Sequence, residues 1–106
     1  MYSTTTCPHC VWVKGTFDKV AKEYAANGSI AAYHWEMDIY DDTLTAAAES
    51  AIPQSEIDVY KKYSPSGYVP LFVFGCKYVR VGNSFEAQQN LTAEEDYLRE
   101  MIGKLL

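Results

Sequence analysis

The sequence predicts an α/β fold in which helices flank a mixed four-stranded sheet, in the order β-α-β-α-β-β-α. Three observations carry this. A helix-period apolar pattern from Pro8 to about Ala26 separates two β-prone segments. Two apolar runs, Leu71 to Phe74 and Lys77 to Val81, stand too close for a crossover and must pair as an antiparallel hairpin. The chain then ends in an amphipathic stretch preceded by a cap signal.

Residues 1 to 5, Met-Tyr-Ser-Thr-Thr, are β-prone and give a short first strand. Pro8 suits the first turn of the following helix, where its missing N–H has no partner to lose. Val13, Phe17, Val20, Ala21 and Tyr24 line one helix face, and Asn27-Gly28 supplies the stop. From Ile30 to Ile39 the residues Tyr33, Trp35, Met37 and Ile39 alternate, the period of a strand with one apolar face. Between Asp42 and Tyr63 the chain is helix-prone but divided by Pro53, which predicts a short helix over Thr45 to Ser50 and another over about Ser55 to Tyr63. Ser64-Pro65-Ser66-Gly67 reads as a loop. After the hairpin, Thr92 with Glu95 forms a capping box ahead of Tyr97, Leu98, Met101, Ile102 and Leu105. A right-handed crossover makes the first two strands parallel, and the hairpin adds an antiparallel pair.

The 106 residues make one domain, 1–106, and therefore one site on one scaffold. Met1 stands six residues before Cys7, so the first strand reads as cut short at Met1. The compartment stays open on this ground, cytoplasmic if Met1 is the native start and extracytoplasmic if a segment was removed. Nine basic against fourteen acidic side chains, a formal charge of -5, oppose nucleic-acid binding, and Lys61-Lys62 is the only adjacent basic pair. No apolar run approaches the roughly 18 residues of a membrane span.

The chemistry concentrates in Cys7-Pro8-His9-Cys10. At a helix start the first sulfur lies beside unpaired backbone N–H groups and the positive end of the dipole, which stabilise a thiolate. The second lies one turn on and can resolve a mixed disulfide. Cys7 is therefore the candidate nucleophile and Cys10 the resolver. His9 adds a donor or a positive charge near Cys7 and so bears on redox direction. Half of a zinc site is the competing use, but a closed site needs four ligands and there is no second Cys-x-x-Cys. Covalent haem attachment wants a histidine where Val11 stands. No cofactor and no metal are implied.

Two separated signatures, Thr6-Cys7-Pro8-His9-Cys10 and Gly67-Tyr68-Val69-Pro70-Leu71-Phe72-Val73-Phe74, together with the element order, resemble the thioredoxin superfamily over nearly the whole chain. The resemblance implies a thioredoxin-like fold, a protein-disulfide oxidoreductase, and a cis proline at Pro70 opposite the cysteines. It also implies that Val69 pairs its backbone with an extended substrate segment by strand addition. Trp12 and Tyr68 are placed at the border of that substrate groove. The partners it implies are proteins bearing disulfides or thiols and an unidentified redox partner, with the chain a monomer.

The sequence departs from the family in informative places. Pro8-His9 is similar to the pair in periplasmic disulfide oxidases, whereas typical thioredoxins carry Gly-Pro preceded by tryptophan, and Thr6 stands in that tryptophan's place. The large helical insertion of those oxidases does not fit in this chain, which favours the reductive direction. The place where many relatives carry a buried carboxylate that assists proton transfer is Met1 here, so that group is either absent or was trimmed with the missing strand residues, which leaves proton handling to His9 or water. The basic residue before Cys7 and the acidic glycine-rich turn that mark glutathione-using relatives are not evident.

Cys76, in the hairpin turn, reads as a bystander thiol far from Cys7, with a regulatory or intermolecular disulfide as its alternative. His34 is expected on the strand face opposite Trp35 or at a partly exposed edge, in a structural role, with no carboxylate-histidine-serine arrangement inferable around it. Three functions compete: reduction of protein disulfides, the reverse reaction as an extracytoplasmic disulfide donor or isomerase, and a non-catalytic metal- or peptide-binding module.

Overall fold

Cys7 has extended backbone, φ -86° and ψ 117°, and Pro8 follows it at the first helical position, so the chain turns into a helix at the cysteine motif. The computed structural model describes residues Met1–Leu106. Its elements are β1 (Tyr2–Ser3), α1 (Pro8–Ala26), β2 (Trp35–Glu36), β3 (Asp41–Asp42), α2 (Gln54–Tyr63), β4 (Leu71–Phe74), β5 (Tyr78–Val81) and α3 (Leu91–Gly103). No helix is long and apolar enough to cross a membrane.

The strands form one mixed sheet in the order β3-β2-β1-β4-β5. β1 runs parallel to β2, with Tyr2 beside Trp35 and Ser3 beside Glu36, and antiparallel to β4, with Tyr2 beside Leu71. The predicted hairpin pairs Leu71 with Val81 through Phe74 with Tyr78. Its turn takes positive φ at Gly75 (59°) and at Cys76 (54°). A Cβ at Gly75 would also come within 2.8 Å of the Leu105 side chain, which would have to swing aside, so the positive φ is the main reason for glycine there.

β4 is buried on both faces, which explains its unbroken apolar run. Phe72 and Phe74 join Val13, Phe17, Leu98 and Met101 in the core shared with α1 and α3. Leu71 joins Tyr2, Trp35, Ile52 and Tyr60 in a second core, shared with α2. The central strands are thus pinned between helices, and the cysteine motif is carried on the N-terminal end of α1.

The structure corrects the sequence reading in four places. The sheet has five strands rather than four. The strand expected over Ile30 to Ile39 is regular only at Trp35–Glu36, because β1 offers two residues to pair with. Past Ile39 the chain reverses through Tyr40, φ 55°, and returns as β3 against β2. The helix expected over Thr45 to Ser50 does not form. Side chains there take the backbone's hydrogen bonds: Glu49 accepts from the Asp42 N–H at 3.1 Å and from the Thr45 hydroxyl at 2.7 Å, while Asp41 accepts from the Glu49 N–H at 3.0 Å. Finally, α3 is capped two residues before Thr92, by Asn90, whose Oδ1 accepts from the Ala93 N–H at 3.0 Å. Glu95 is instead an ion-pair partner of Lys19 and Arg99.

Buried Glu94 on α3 fixes the loop after β5. It accepts from the Ser84 and Phe85 N–H groups at 2.6 and 2.8 Å and pairs with Arg80 at 2.7 Å. Arg80 in turn lies over the rings of Phe72 and Tyr97. The loop so held carries Asn83 and Glu86 to the cysteine motif.

Candidate active site

Cys7 is half-buried at the head of α1 and has its Sγ 3.8 Å from the Val69 carbonyl, to which the thiol donates. The Val69-Pro70 peptide bond is cis. The segment is fastened from two sides. The Tyr60 hydroxyl and the Ser64 hydroxyl both donate to the Tyr68 carbonyl, at 3.1 and 2.9 Å, and the Gly82 N–H donates to the Pro70 carbonyl at 2.8 Å. Two segments over sixty residues apart in sequence are therefore held face to face at the sulfur.

Cys10, one turn along, is 2% exposed. Burial pushes its thiol up to about 12, with the Cys7 thiol acting the same way and a backbone hydrogen bond with Thr4 acting against them. A thiol so raised keeps its proton at neutral pH. Beside it lies a cavity of about 170 Å³, lined by Ser3, Thr4, Thr5, Cys10, Val11, Lys14 and Glu36. Glu36 is buried, and its carboxylate accepts from Lys14 Nζ at 2.7 Å. This hydrogen bond holds the Lys14 ammonium above its usual range, against the opposing effect of its partial burial.

A buried carboxylate does stand at the motif, on β2 rather than at Met1. Its sequence signal was a charged residue on the same face as His34 inside an apolar alternation, matched by Lys14 four residues after Cys10. Cys10, Lys14 and Asp18 recur at four-residue spacing along α1, and the polar side chains of β1 and β2 meet them across the sheet.

At the inner end of this seam His34 lies on the face opposite Trp35, as one of the two expected placements had it, with partners around it that the sequence did not disclose. His34 is fully buried; its Nε2 is 2.6 Å from Ser3 Oγ and its Nδ1 2.6 Å from Asp18 Oδ1, a carboxylate-histidine-serine arrangement. Thr43 donates to the other Asp18 oxygen at 3.1 Å, and Phe17 packs edge-on against the imidazole. Ser3 is 2% exposed and His34 0%, so no substrate carbonyl reaches the hydroxyl. The arrangement ties α1 to the sheet with every polar atom partnered.

His9 is exposed, and the hydrogen bond of its Nδ1 goes to Glu86 at 2.9 Å rather than to Cys7. Asn83 donates to the His9 carbonyl at 2.9 Å and to Glu86 Oε1 at 2.8 Å. A groove of about 530 Å³ runs here, lined by His9, Val69, Pro70, Gly82, Asn83, Glu86, Ala87 and Gln89. Asn83 and Glu86 escaped the sequence reading because they lie over seventy residues from the motif in a loop with no periodicity.

Of the other predicted residues, Pro8 opens α1 as expected. Trp12 packs against the main core and Tyr68 is exposed with its carbonyl tied down, and neither lines the groove. Cys76 sits at the hairpin turn, in the wall of a separate pocket that includes Tyr33 and Trp35. Comparison with protein-family models, curated proteins and solved structures finds no match.

Proposed function

We propose that this chain is a thioredoxin-like thiol-disulfide oxidoreductase that reduces protein disulfides through Cys7 and Cys10. The observation that carries the reading is the Cys7 sulfur facing the Val69 carbonyl beside cis-Pro70, with Cys10 buried behind it. An extended substrate segment laid along Val69 brings its own sulfur to Cys7.

In the reductive cycle the Cys7 thiolate attacks one sulfur of a substrate disulfide. The substrate S–S bond breaks, a Cys7–substrate disulfide forms, and the departing sulfur takes a proton from water. Cys10 then gives its proton to Glu36 and attacks the Cys7 sulfur, which expels the second substrate thiolate. Two electrons have passed from the dithiol to the substrate, and the Cys7–Cys10 disulfide is returned to the dithiol by an external dithiol reductant. Lys14, hydrogen-bonded to Glu36 at 2.7 Å, holds the carboxylate in place for that transfer.

The same residues run backward as a disulfide donor, and the pair Pro8-His9 favours that second reading. The potential of the couple separates them: near about -270 mV the protein is a reductant, near about -120 mV a donor. Reduction of insulin disulfides tests the function itself. Loss of turnover in Cys7→Ser, with a trapped substrate adduct in Cys10→Ser, is the expected result; turnover that survives Cys7→Ser overturns it and favours a binding module.

A further inference from the structure

The groove beside Cys7 has a one-sided chemistry. Among its eight lining residues there is a carboxylate, Glu86, and no lysine or arginine. The Asn83 amide, and after it His9, hold the Glu86 carboxyl below its usual range, so it is charged at neutral pH. Asn83 is committed in turn: its nitrogen serves both Glu86 and the His9 carbonyl, while its Oδ1 is buried with no donor. The wall's charge is therefore the Glu86 carboxylate, with no lysine or arginine to balance it. The Glu94 clamp behind the loop keeps this wall in place against the motif.

An ammonium or guanidinium carries three or five N–H donors and no acceptor, the complement of such a wall. A carboxylate entering the groove would meet Glu86 and find no lysine or arginine among the lining side chains. The net charge of -5 acts in the same direction at longer range.

We infer that this groove selects disulfide-bearing polypeptides with a lysine or arginine next to the reacting cysteine and discriminates against acidic ones, with Glu86 the residue that reads the charge. The inference rests on the oxidoreductase reading and adds its substrate class.

Three synthetic peptide disulfides, identical except for Lys, Gln or Glu beside the cysteine, test it by their kcat/KM at low and at high salt. The expected order is Lys above Gln above Glu, with about three- to tenfold between the extremes at low salt, the effect of one partly exposed ion pair, shrinking as salt screens it. Glu86→Gln is expected to bring the Lys-to-Glu ratio to within about twofold of unity. Equal rates for the three peptides, a reversed order, or a ratio that survives Glu86→Gln overturns the inference alone. No reaction with any of the three overturns the oxidoreductase reading and the inference with it.

Discussion

Glu36 takes the Lys14 ammonium at 2.7 Å on the wall of the cavity that also holds buried Cys10. Under the proposed cycle, a thiol pushed up to about 12 needs a base to resolve the mixed disulfide, and Glu36 is the carboxylate that shares its cavity. Glu36→Gln keeps the volume and removes the base. It is expected to slow the release of substrate from the Cys7 mixed disulfide by about 10²-fold, the lower end of general-base effects, while the attack of Cys7 is slowed far less. Rapid-mixing kinetics that separate the two steps check this.

The same burial links Cys10 to stability. Its thiol rises from 9.0 to about 12 on folding, so the folded state holds the proton more tightly than the unfolded chain. The contribution is fully present below pH 9 and is lost as pH rises from there through about 12. Denaturant unfolding of the reduced protein is expected to show a steeper alkaline loss than the Cys10→Ala variant, read as the difference between the two midpoints across that range.

Removing the imidazole of His34 leaves Ser3 and Asp18 facing each other across a buried gap. His34→Ala is expected to cost about 3 kcal/mol, from a cavity, a Ser3 hydroxyl without its partner and an Asp18 carboxylate left with Thr43 alone, a large share of the roughly 5–15 kcal/mol that holds a domain. Thermal and denaturant melts measure it. Disulfide reduction per folded molecule is expected to persist, since His34 lies behind the site and touches neither sulfur; loss of turnover in a folded variant would assign it a chemical role.

Much of this architecture was legible in advance, and the failures share a cause. α1, α2, β4 and the hairpin repeat their apolar residues with a clear period, and Pro8, Asn27-Gly28 and Ser64-Pro65-Ser66-Gly67 punctuate them. The errors fell where polar side chains take over the backbone's bonding. Glu49 and Asp41 unmake a helix, Asn90 displaces Thr92 as the cap, and Tyr40 folds the end of a strand back on itself. At the site, Cys7, Cys10 and Pro70 were visible as short motifs. Glu36, Lys14, Asn83 and Glu86 were not, because their roles arise only when distant segments meet.

Glu94 tests how the groove is held. Glu94→Ala strands Arg80 in a largely buried position and frees two loop N–H groups, for an expected loss of about 3–5 kcal/mol. Glu94→Gln, which retains an acceptor for the loop, is expected to cost less and to remain folded, with the discrimination between Lys and Glu peptides weakened because the wall bearing Glu86 is no longer fixed. Chemical denaturation and the peptide rates report the two effects separately.

The central claim is that Cys7 and Cys10 form a reversible two-electron couple. Equilibration of the protein with glutathione buffers of graded potential at pH 7, followed by acid quench and alkylation, counts free thiols at each point. The account predicts that Cys7 and Cys10 lose both thiols together in a single transition with a two-electron slope, at a potential near about -270 mV, while Cys76 stays outside it. Cysteines that never pair across the whole range, or a transition that persists after Cys7→Ser, would contradict it.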